Sequence, residues 1–256
     1  MPLVVFNQKG GVGKSTITCN LAAISASQGL RTLVIDLDPQ GNSSSYLQGQ
    51  QATADQPTIA GLFEDALSYS YRKVLPNEFV VPTPHEGLHL MASSPSLNEL
   101  TTKLESRQKI YKLREALQQL SKDYERIYID TPPAFNFYTR SALVAADGCL
   151  IPFDCDEFSR QALYTLLDNV REIRADHNPK LQVKGIVVNQ FQARAKLPQR
   201  MVDGLLAEGL PVLQPYLPSS VRIRESHELS LPMIYLDPQH KLTQGFVALH
   251  SALGPV

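Results

Sequence analysis

The chain has no tryptophan, few cysteines and no long apolar run, and each absence narrows its class. No stretch approaches the ~18–20 apolar residues that span a bilayer, so we expect no transmembrane helix. The three cysteines, Cys19, Cys149 and Cys155, lack metal-ligand or disulfide spacing, which favours a reducing cytoplasm. A predicted strand begins within the first residues, which leaves no room for a signal peptide.

Positive charge is not in excess either. The formal net charge is −1 at pH 7, so any binding of nucleic acid must come from a local patch and not from a global field. Apolar residues make up 43% of the 256 positions, which is enough for a sizeable core. This length fits one large α/β domain as well as two small ones, and we interpret residues 1–256 as a single domain.

Apolar runs alternate with helix-like patterns along the chain. This alternation predicts an α/β fold, in which a mostly parallel, twisted sheet carries helices on both faces. The predicted strands span residues 3–7, 32–36, 88–92, 126–130, 149–153 and 183–189. The predicted helices are 15–28, which Gly29 ends, 107–120, and one that Ser159 caps. Residues 42–84, rich in Ser, Gln, Thr and Pro, are predicted to be switch-loop and insertion material and not a separate domain.

The most informative segment is VVFNQKGGVGKST, residues 4–16, in which an apolar strand runs into a glycine-rich turn, a lysine and two hydroxyls. Glycines let backbone N–H groups converge on phosphate oxygens, and the following helix presents its positive N-terminal end. Lys14 is placed to reach the β- and γ-phosphates of a nucleoside triphosphate, and the Ser15 hydroxyl to ligate Mg²⁺. Compared with the motif G-x-x-x-x-G-K-[ST], Gln8 replaces the first glycine and Lys9 adds a second lysine. The predicted nucleotide-binding residues of this loop are Gly10, Gly11, Val12, Gly13, Lys14, Ser15 and Thr16.

Polar residues also follow other predicted strands, at the carboxyl ends where open α/β sheets bind ligands. Asp36 and Asp38 come at the end of the strand at 32–36. Asp130 ends an apolar strand as a Walker B aspartate does, and we expect it to hold Mg²⁺ through a water. Asn189 ends another strand with an amide that both donates and accepts hydrogen bonds. The plainer alternatives are that Asp36 or Asp38 caps the Asp-Pro turn and that Asn189 forms a turn.

Several motifs occur in an order known from one protein family. They are KGGVGKST, DLDPQGN, IDTPP, IPFDCDEFSRQAL, VVNQF and LPSSVRIRESHE followed by YLDP, and they cover nearly the whole chain. With them the chain resembles the ParA/MinD family of dimerising P-loop ATPases with a deviant Walker A box, in its short ParA type without an N-terminal helix-turn-helix. The resemblance implies ATP and Mg²⁺ as ligands and homodimerisation on ATP binding. It further implies nonspecific binding of double-stranded DNA on the nucleoid, and slow hydrolysis that a ParB-like or other adaptor stimulates.

The resemblance also implies roles for single residues. Lys9 reaches across the dimer to the phosphates of the partner's ATP, like an arginine finger supplied in trans. The alternative is a solvated lysine near a phosphate site. Asp38 orients the attacking water, whereas Asp36 lies nearer the metal with Ser15. Asn189 reads the adenine edge, and Pro218 lines the same pocket.

Basic residues are concentrated between positions 180 and 224, where seven Lys and Arg face only Asp203 and Glu208 as acidic residues. In ParA-type proteins this region of the dimer grips the DNA backbone, through contacts that carry no sequence preference. The predicted DNA-binding residues are Arg194, Lys196, Arg200, Arg222 and Arg224. The family commonly has PRNVR where this chain has PSSVR, so Ser219 replaces one basic contact. The alternative is a solvated basic face.

Two other function classes share the P-loop. A membrane-surface ATPase of the MinD type needs a terminal amphipathic, basic helix. The apolar stripe near the end of this chain consists of Leu242, Phe246, Leu249 and Leu253. Lys241 is the only Lys or Arg after Arg224, so we expect the stripe to pack on the sheet and the protein not to bind membranes. An iron–sulfur ATPase like the nitrogenase iron protein needs thiolates that bridge a cluster, and Cys149 and Cys155 form no C-x-x-C pair.

Overall fold

The computed structural model describes residues 1–49, 55–68, 74–156 and 159–254, and within these ranges eight strands form one sheet. The strands are β1 (Pro2–Val5), β2 (Thr32–Asp36), β3 (Val81–Pro82), β4 (Leu88–Met91), β5 (Arg126–Asp130), β6 (Gly148–Asp154), β7 (Gln182–Asn189) and β8 (Val212–Leu213). Their order across the sheet is β3-β4-β2-β5-β1-β6-β7-β8. The edge strand β3 runs antiparallel to β4, and the other pairs are parallel. The predicted class, α/β with a mostly parallel sheet, is confirmed.

Helices cover both faces of this sheet. They are α1 (Lys14–Ser27), α2 (Asn42–Gln48), α3 (Ile59–Leu67), α4 (Leu97–Ser106), α5 (Lys112–Leu120), α6 (Phe137–Ala145), α7 (Ser159–Asp176), α8 (Lys196–Ala207), α9 (Arg222–Glu228), α10 (Met233–Leu236) and α11 (Lys241–Ala252). Side chains alternate along each strand, so Val4 packs into one core with Phe63 and Leu163, whereas Leu3 and Val5 pack into another with α1. Because both faces are covered, every residue of β1, β2 and β5 is buried.

The helix α1 is itself largely buried, because it lies between the sheet and α11. Its polar residues find partners inside this layer. The hydroxyl of Ser25 lies 2.9 Å from Oη of Tyr128 and 2.9 Å from Nε2 of His250. The helix ends at Ser27, and Gly29, two residues further on, has a left-handed φ of 85°, which confirms the predicted stop. α1 thus connects the strands to the C-terminal helix.

Most predicted elements are confirmed, with small shifts at their ends. The strands β2 and β5 coincide with the prediction, and β1, β4, β6, β7 and α1 differ by one or two residues at an end. The helix predicted over 107–120 is wrong in its first turn, since α5 begins at Lys112. Gln108 has a left-handed φ of 52°, which separates α4 from α5. The side chain of Ser159, predicted to cap α7, lies outside the described residues.

The interpretation of residues 42–84 as switch-loop and insertion material is wrong in part. Its described residues form α2, α3, a 3₁₀ turn over Pro76–Phe79, and β3. α3 buries Ile59 and Phe63, but the helix is too short for its periodicity to stand out in the sequence. α2 reads NSSSYLQ, a composition of weak helix propensity, and hydrogen bonds from Ser43 and Ser44 to the sheet hold it in place. Tertiary contacts therefore determine that these segments are helical, which their local sequence does not predict.

The C-terminal apolar stripe faces the interior. Leu242, Phe246 and Leu249 are between 1% and 2% exposed, and Leu253 packs against the same core. The predicted packing on the sheet is corrected, since the stripe packs on α1, which lies between α11 and the strands. Among the described residues, no helix is long and apolar enough to cross a membrane.

Replacing Phe246 by alanine tests this packing. Phe246→Ala should lower the free energy of unfolding by ~3 kcal/mol or more, because it leaves a cavity between α11 and α1. Urea denaturation measures the change. Lys241→Ala, an exposed substitution on the same helix, is the control and should change the value by less than ~0.5 kcal/mol. An unfolding free energy that Phe246→Ala leaves unaltered would contradict the inward packing.

Candidate functional site

A cleft of about 640 Å³ opens at the carboxyl ends of β1, β2, β5 and β7. Parallel strands end at one edge of the sheet, so residues that are distant in sequence converge there. The predicted site residues in its wall are Gly10, Gly11, Gly13, Lys14, Ser15, Thr16, Asp38, Asn189 and Pro218. Most of the predicted nucleotide site is therefore brought together in one place.

The loop between β1 and α1 has glycine where its backbone needs it. Gly11 and Gly13 have left-handed φ angles of 76° and 92°, which other residues rarely adopt. A Cβ atom on Gly13 would also stand 2.3 Å from Nδ2 of Asn189. The first hydrogen bond of α1 runs from Ile17 N to Gly13 O, so the preceding N–H groups of the helix have no helical partner. The loop thus offers backbone donors and a positive helix end to an anion.

Lys14 is buried at the base of the cleft. It is 7% exposed, and its Nζ donates to the backbone oxygen of Lys9 at 2.9 Å. Desolvation lowers the pKa of Lys14, whereas the negative charges of Asp130 and Asp38 act in the opposite direction. The ammonium group of Lys14 is therefore held inside its own loop, close to the carboxylates of Asp130 and Asp38.

Two of these carboxylates lie side by side behind the loop. Asp36 ends β2 and Asp130 ends β5, and the two residues are register partners and completely buried. Burial and the charge of Asp130 raise the pKa of Asp36 to about 8, and burial raises the pKa of Asp130 to about 6. Asp36 accepts hydrogen bonds from N and Oγ of Ser44, both at 2.8 Å, and Asp130 accepts one from Oγ of Ser43 at 2.8 Å. The pair still carries negative charge that a cation would neutralise.

The chemistry of this point fits a magnesium ion. The Ser15 hydroxyl lies close enough to the carboxylate of Asp130 to lower its pKa, and Asp130 itself adjoins Asp36. These three side chains offer oxygen donors, and Mg²⁺ prefers oxygen ligands and takes few carboxylates. The structure therefore brings together the three residues, Ser15, Asp36 and Asp130, that the sequence predicts as metal ligands.

Asp38 lies in the cleft wall, in the turn that follows β2. Its Oδ1 accepts a hydrogen bond from Gln40 N at 3.0 Å, and its own N–H donates to Oδ1 of Asp36 at 3.1 Å. Both aspartates therefore stabilise the turn, as the plainer alternative holds. This role leaves Asp38 within the cleft, so turn formation and a place in the site are compatible.

Lys9, the second lysine of the loop, is paired with carboxylates of its own chain. Its Nζ lies 2.5 Å from Oδ2 of Asp154, at the end of β6, and also pairs with Asp156. Partial burial lowers the pKa of Lys9, but the hydrogen bonds with these two carboxylates outweigh burial and raise the pKa. The sequence predicts no role for either Asp154 or Asp156. Their only signal was acidity within the segment IPFDCDEFSRQAL, because nothing local places β6 beside the loop.

The end of β7 closes the loop from the other side. Nδ2 of Asn189 donates to Val12 O at 2.9 Å, and Nε2 of Gln190 donates to Gly11 O at 3.0 Å. Pro218 lies in the same cleft wall. Gln190 is a further residue that sequence reasoning missed, since its left-handed φ of 55° belongs to the fold and not to any motif.

The predicted DNA-binding residues separate into two groups. The first group is exposed on α8 or directly before it, and consists of Arg194, Lys196 and Arg200. In the second group, Arg222 is ion-paired, with Glu225 at 2.5 Å and Asp237 at 3.6 Å. Arg224 lines the cleft. The five residues therefore differ in what surrounds their charges.

The thiols do not resemble a cluster site. Cys149 is buried in β6, and burial raises its pKa to about 12. Burial likewise raises the pKa of Cys155 to about 11, with Asp154 and Asp156 adding to the shift. Both shifts disfavour the thiolate, which is the form that holds an iron–sulfur cluster.

The site consists of a glycine-rich loop between a buried strand and a helix, a buried lysine, and two aspartates at adjoining strand ends. These features define a P-loop nucleoside triphosphatase. The AAA domain family (AAA_31) matches residues 2–183, and the chain belongs to this family. It is 33% identical over 249 residues to the chromosome partitioning protein ParA of Myxococcus xanthus, which covers 96% of this chain and 85% of that protein. The chain is thus a ParA-like P-loop ATPase, as the resemblance implied.

Solved structures agree with this assignment. The fold is similar to that of apo McdA from Cyanothece, with a TM-score of 0.87 at 24% identity and 99% coverage of both chains. It is also similar to cobyrinic acid a,c-diamide synthase from Mycobacterium smegmatis, solved with a bound ATP analog and magnesium, with a TM-score of 0.82 at 25% identity. That match covers 98% of this chain and 93% of the synthase. These solved structures therefore share the fold of this chain, and one of them holds an ATP analog and magnesium.

The buried aspartates predict how stability depends on pH. Their raised pKa values mean that the folded state binds more protons than the unfolded state above about pH 4. Without Mg²⁺, the free energy of unfolding should therefore fall as pH rises through about 6 and about 8, by ~1 kcal/mol per pH unit. Urea denaturation in EDTA between ~pH 5 and ~pH 8.5 measures the slope.

Two variants make this measurement specific. Asp36→Asn should flatten the slope, because only one ionisable carboxyl remains at the buried position. The exposed substitution Asp176→Asn is the matched control and should leave the slope as it is. A slope that Asp36→Asn leaves unaltered would refute the assignment.

Proposed function

We propose that this protein is an ATP hydrolase that dimerises on binding ATP and Mg²⁺, binds double-stranded DNA without sequence preference, and partitions or positions a cargo on the nucleoid. The cargo is a plasmid, a chromosome or a protein complex, and a ParB-like or other adaptor stimulates slow hydrolysis. Residues 1–256 act as one domain in the cytoplasm. The observation that carries the proposal is two lysines on one glycine-rich loop, Lys14 inside the cleft and Lys9 partly exposed beside it.

The cleft suits a nucleoside triphosphate in size and in chemistry. In the proposed complex, Lys14 exchanges its hydrogen bond with the Lys9 carbonyl for oxygens of the β- and γ-phosphates. The free N–H groups of the loop and of α1 bind the remaining phosphate oxygens. Asn189 and Pro218 hold the adenine, a role that their place in the same cleft wall supports.

The metal and the attacking water have separate candidate residues. Ser15, Asp36 and Asp130 would hold Mg²⁺, which when bound neutralises charge on the phosphates. Asp38 orients the attacking water, and its position in the cleft wall supports this role. Asp38 also lies close enough to Lys14 for its negative charge to act on the pKa of that lysine. Both roles are those that the resemblance to the ParA/MinD family implies.

Lys9 is proposed to act in trans. Its ion pairs join side chains that are 40%, 22% and 45% exposed, and pairs of this kind are worth ~1 kcal/mol or less. They can therefore be exchanged for a phosphate that a second copy of the chain presents. The ammonium group then meets negative charge that grows in the transition state of phosphoryl transfer.

Nonspecific DNA binding is assigned to the exposed residues around α8. Arg194, Lys196 and Arg200 have no ion pair among the described residues, so their charges are available to phosphates. Arg222 is less suited, because Glu225 already pairs with it. A dimer doubles the number of such contacts, which makes binding depend on ATP.

Two substitutions separate nucleotide binding from hydrolysis. Lys14→Ala should abolish nucleotide binding, because it removes the buried cation of the cleft. Asp38→Ala should still bind ATP but lose turnover, because the water is no longer oriented. Binding of a fluorescent ATP analogue and release of phosphate are the two measurements. Lys103→Ala, on the exposed side of α4, is the control. If Asp38→Ala hydrolyses ATP at the parent rate, Asp38 does not orient the water.

A second prediction concerns DNA. The parent protein should bind duplexes of any sequence most tightly with ATP, less with ADP or without nucleotide, and more weakly at higher salt. The double variant Arg194→Glu with Arg200→Glu should weaken binding to all sequences alike and flatten the salt dependence. Titrations with ATP, with ADP and without nucleotide, at two salt concentrations, measure this.

Lys122→Glu supplies the matched charge reversal, since Lys122 is exposed in the turn between α5 and β5, at the amino ends of the strands. It should bind DNA as the parent does. Unchanged binding by the double variant would reject the surface around α8, and equal binding in all three nucleotide conditions would reject ATP control.

A further inference from the structure

The cleft has a second wall that no P-loop motif specifies. α9 lies across from the first turn of α1, and Nε2 of its His227 is 3.0 Å from Oγ1 of Thr16. Both residues line the cleft. Among the described residues this is the only hydrogen bond of the imidazole, whose surface remains exposed to the cleft. The ring is thus within reach of whatever binds at the first turn of α1.

The imidazole of His227 is held in position by the side chain of Tyr46. Tyr46 of α2 meets it edge-on, with ring centroids 4.5 Å apart and an interplanar angle of 63°. The hydroxyl of Tyr46 lies 2.5 Å from Oγ of Ser226 and accepts a hydrogen bond from Nδ2 of Asn20 at 3.2 Å. Three helices therefore hold the ring in one place, as a ligand-binding group requires.

The chemistry of α9 differs between its two sides. Arg222 is paired with Glu225 and Asp237, away from the cleft lining. Arg224, one turn before His227, lines the cleft and has no ion pair among the described residues. The cleft side of the helix therefore presents an unpaired positive charge beside the imidazole, which favours an anionic ligand.

We propose that His227 is a nucleotide-contacting residue that hydrogen-bonds the α-phosphate of the bound nucleotide. The proposal rests on nucleotide binding by the P-loop as proposed above. In such a loop the lysine reaches the β- and γ-phosphates, and backbone N–H groups cradle the α- and β-phosphates. Thr16 lies two residues beyond Lys14 in the first turn of α1, so its neighbour His227 lies at the α-phosphate end. The imidazole exchanges a neutral hydroxyl partner for a charged oxygen, which is the stronger hydrogen bond.

The test compares the dissociation constants of ADP and ATP in the parent and in two variants. His227→Phe keeps a ring against Tyr46 but removes the hydrogen bond, and should weaken both nucleotides about tenfold. The losses should be equal, because ADP and ATP share the α-phosphate. His227→Gln keeps a side-chain donor and should recover most of the affinity.

His177→Phe is the matched control. His177 also hydrogen-bonds a hydroxyl, that of Tyr111 at 2.9 Å, and likewise meets a tyrosine ring edge-on. It lies between α7 and β7, at the amino ends of the strands and not at their carboxyl ends. Its replacement should leave both dissociation constants unchanged, and thermal melting should show that all variants are folded.

The possible outcomes separate this inference from the proposed function. Parent affinity in His227→Phe would overturn the inference and leave the proposed function standing. A loss that His227→Gln does not recover, accompanied by a lowered melting temperature, would also overturn it by showing a structural role. Failure of the parent to bind either nucleotide would overturn both.

Discussion

Two aspartates buried side by side are the constraint on which the rest of the site depends. Asp36 and Asp130 are completely inaccessible to solvent, and placing two carboxylates there is unfavourable unless other groups compensate for them. The compensation comes from outside their strands. Hydroxyl and N–H groups of α2 bond to them, and Lys14 carries the opposite charge nearby. A serine-rich segment is helical, and a lysine is buried, because of this one pair.

The strand order turns that pair into a site. Across the sheet, the strands run β2, β5, β1, β6 and β7, although the chain visits them in another sequence. Their carboxyl ends present, in turn, Asp36, Asp130, the glycine-rich loop, Asp154 and Asn189. The ends of β5 and β6 therefore flank the glycine-rich loop, which follows β1 between them. Lys9 and Lys14, five residues apart, consequently reach different partners, one at the rim and the other inside the cleft.

The sequence predicts the parts of this arrangement that follow from local patterns. Buried strands such as β2 and β5 could be read from apolar runs, and the loop from its glycines and Lys14, since each has a short-range signature. The helix α2 could not, because hydrogen bonds to Asp36 and Asp130 outweigh its propensity. The partners of Lys9 could not either, because they depend on how β6 lies beside β1. Likewise, the sequence indicates a free basic residue at Arg222, whereas in the structure Arg222 is paired with Glu225 and Asp237.

In the proposed dimer this loop is completed by a second copy of the chain, whose Lys9 approaches the phosphates from outside. Sedimentation or light scattering of the purified protein, with Mg²⁺ and a nonhydrolysable ATP analogue, measures this most directly. The expected mass is that of two chains with the analogue and of one chain with ADP. A particle that keeps the mass of one chain at saturating analogue would contradict it.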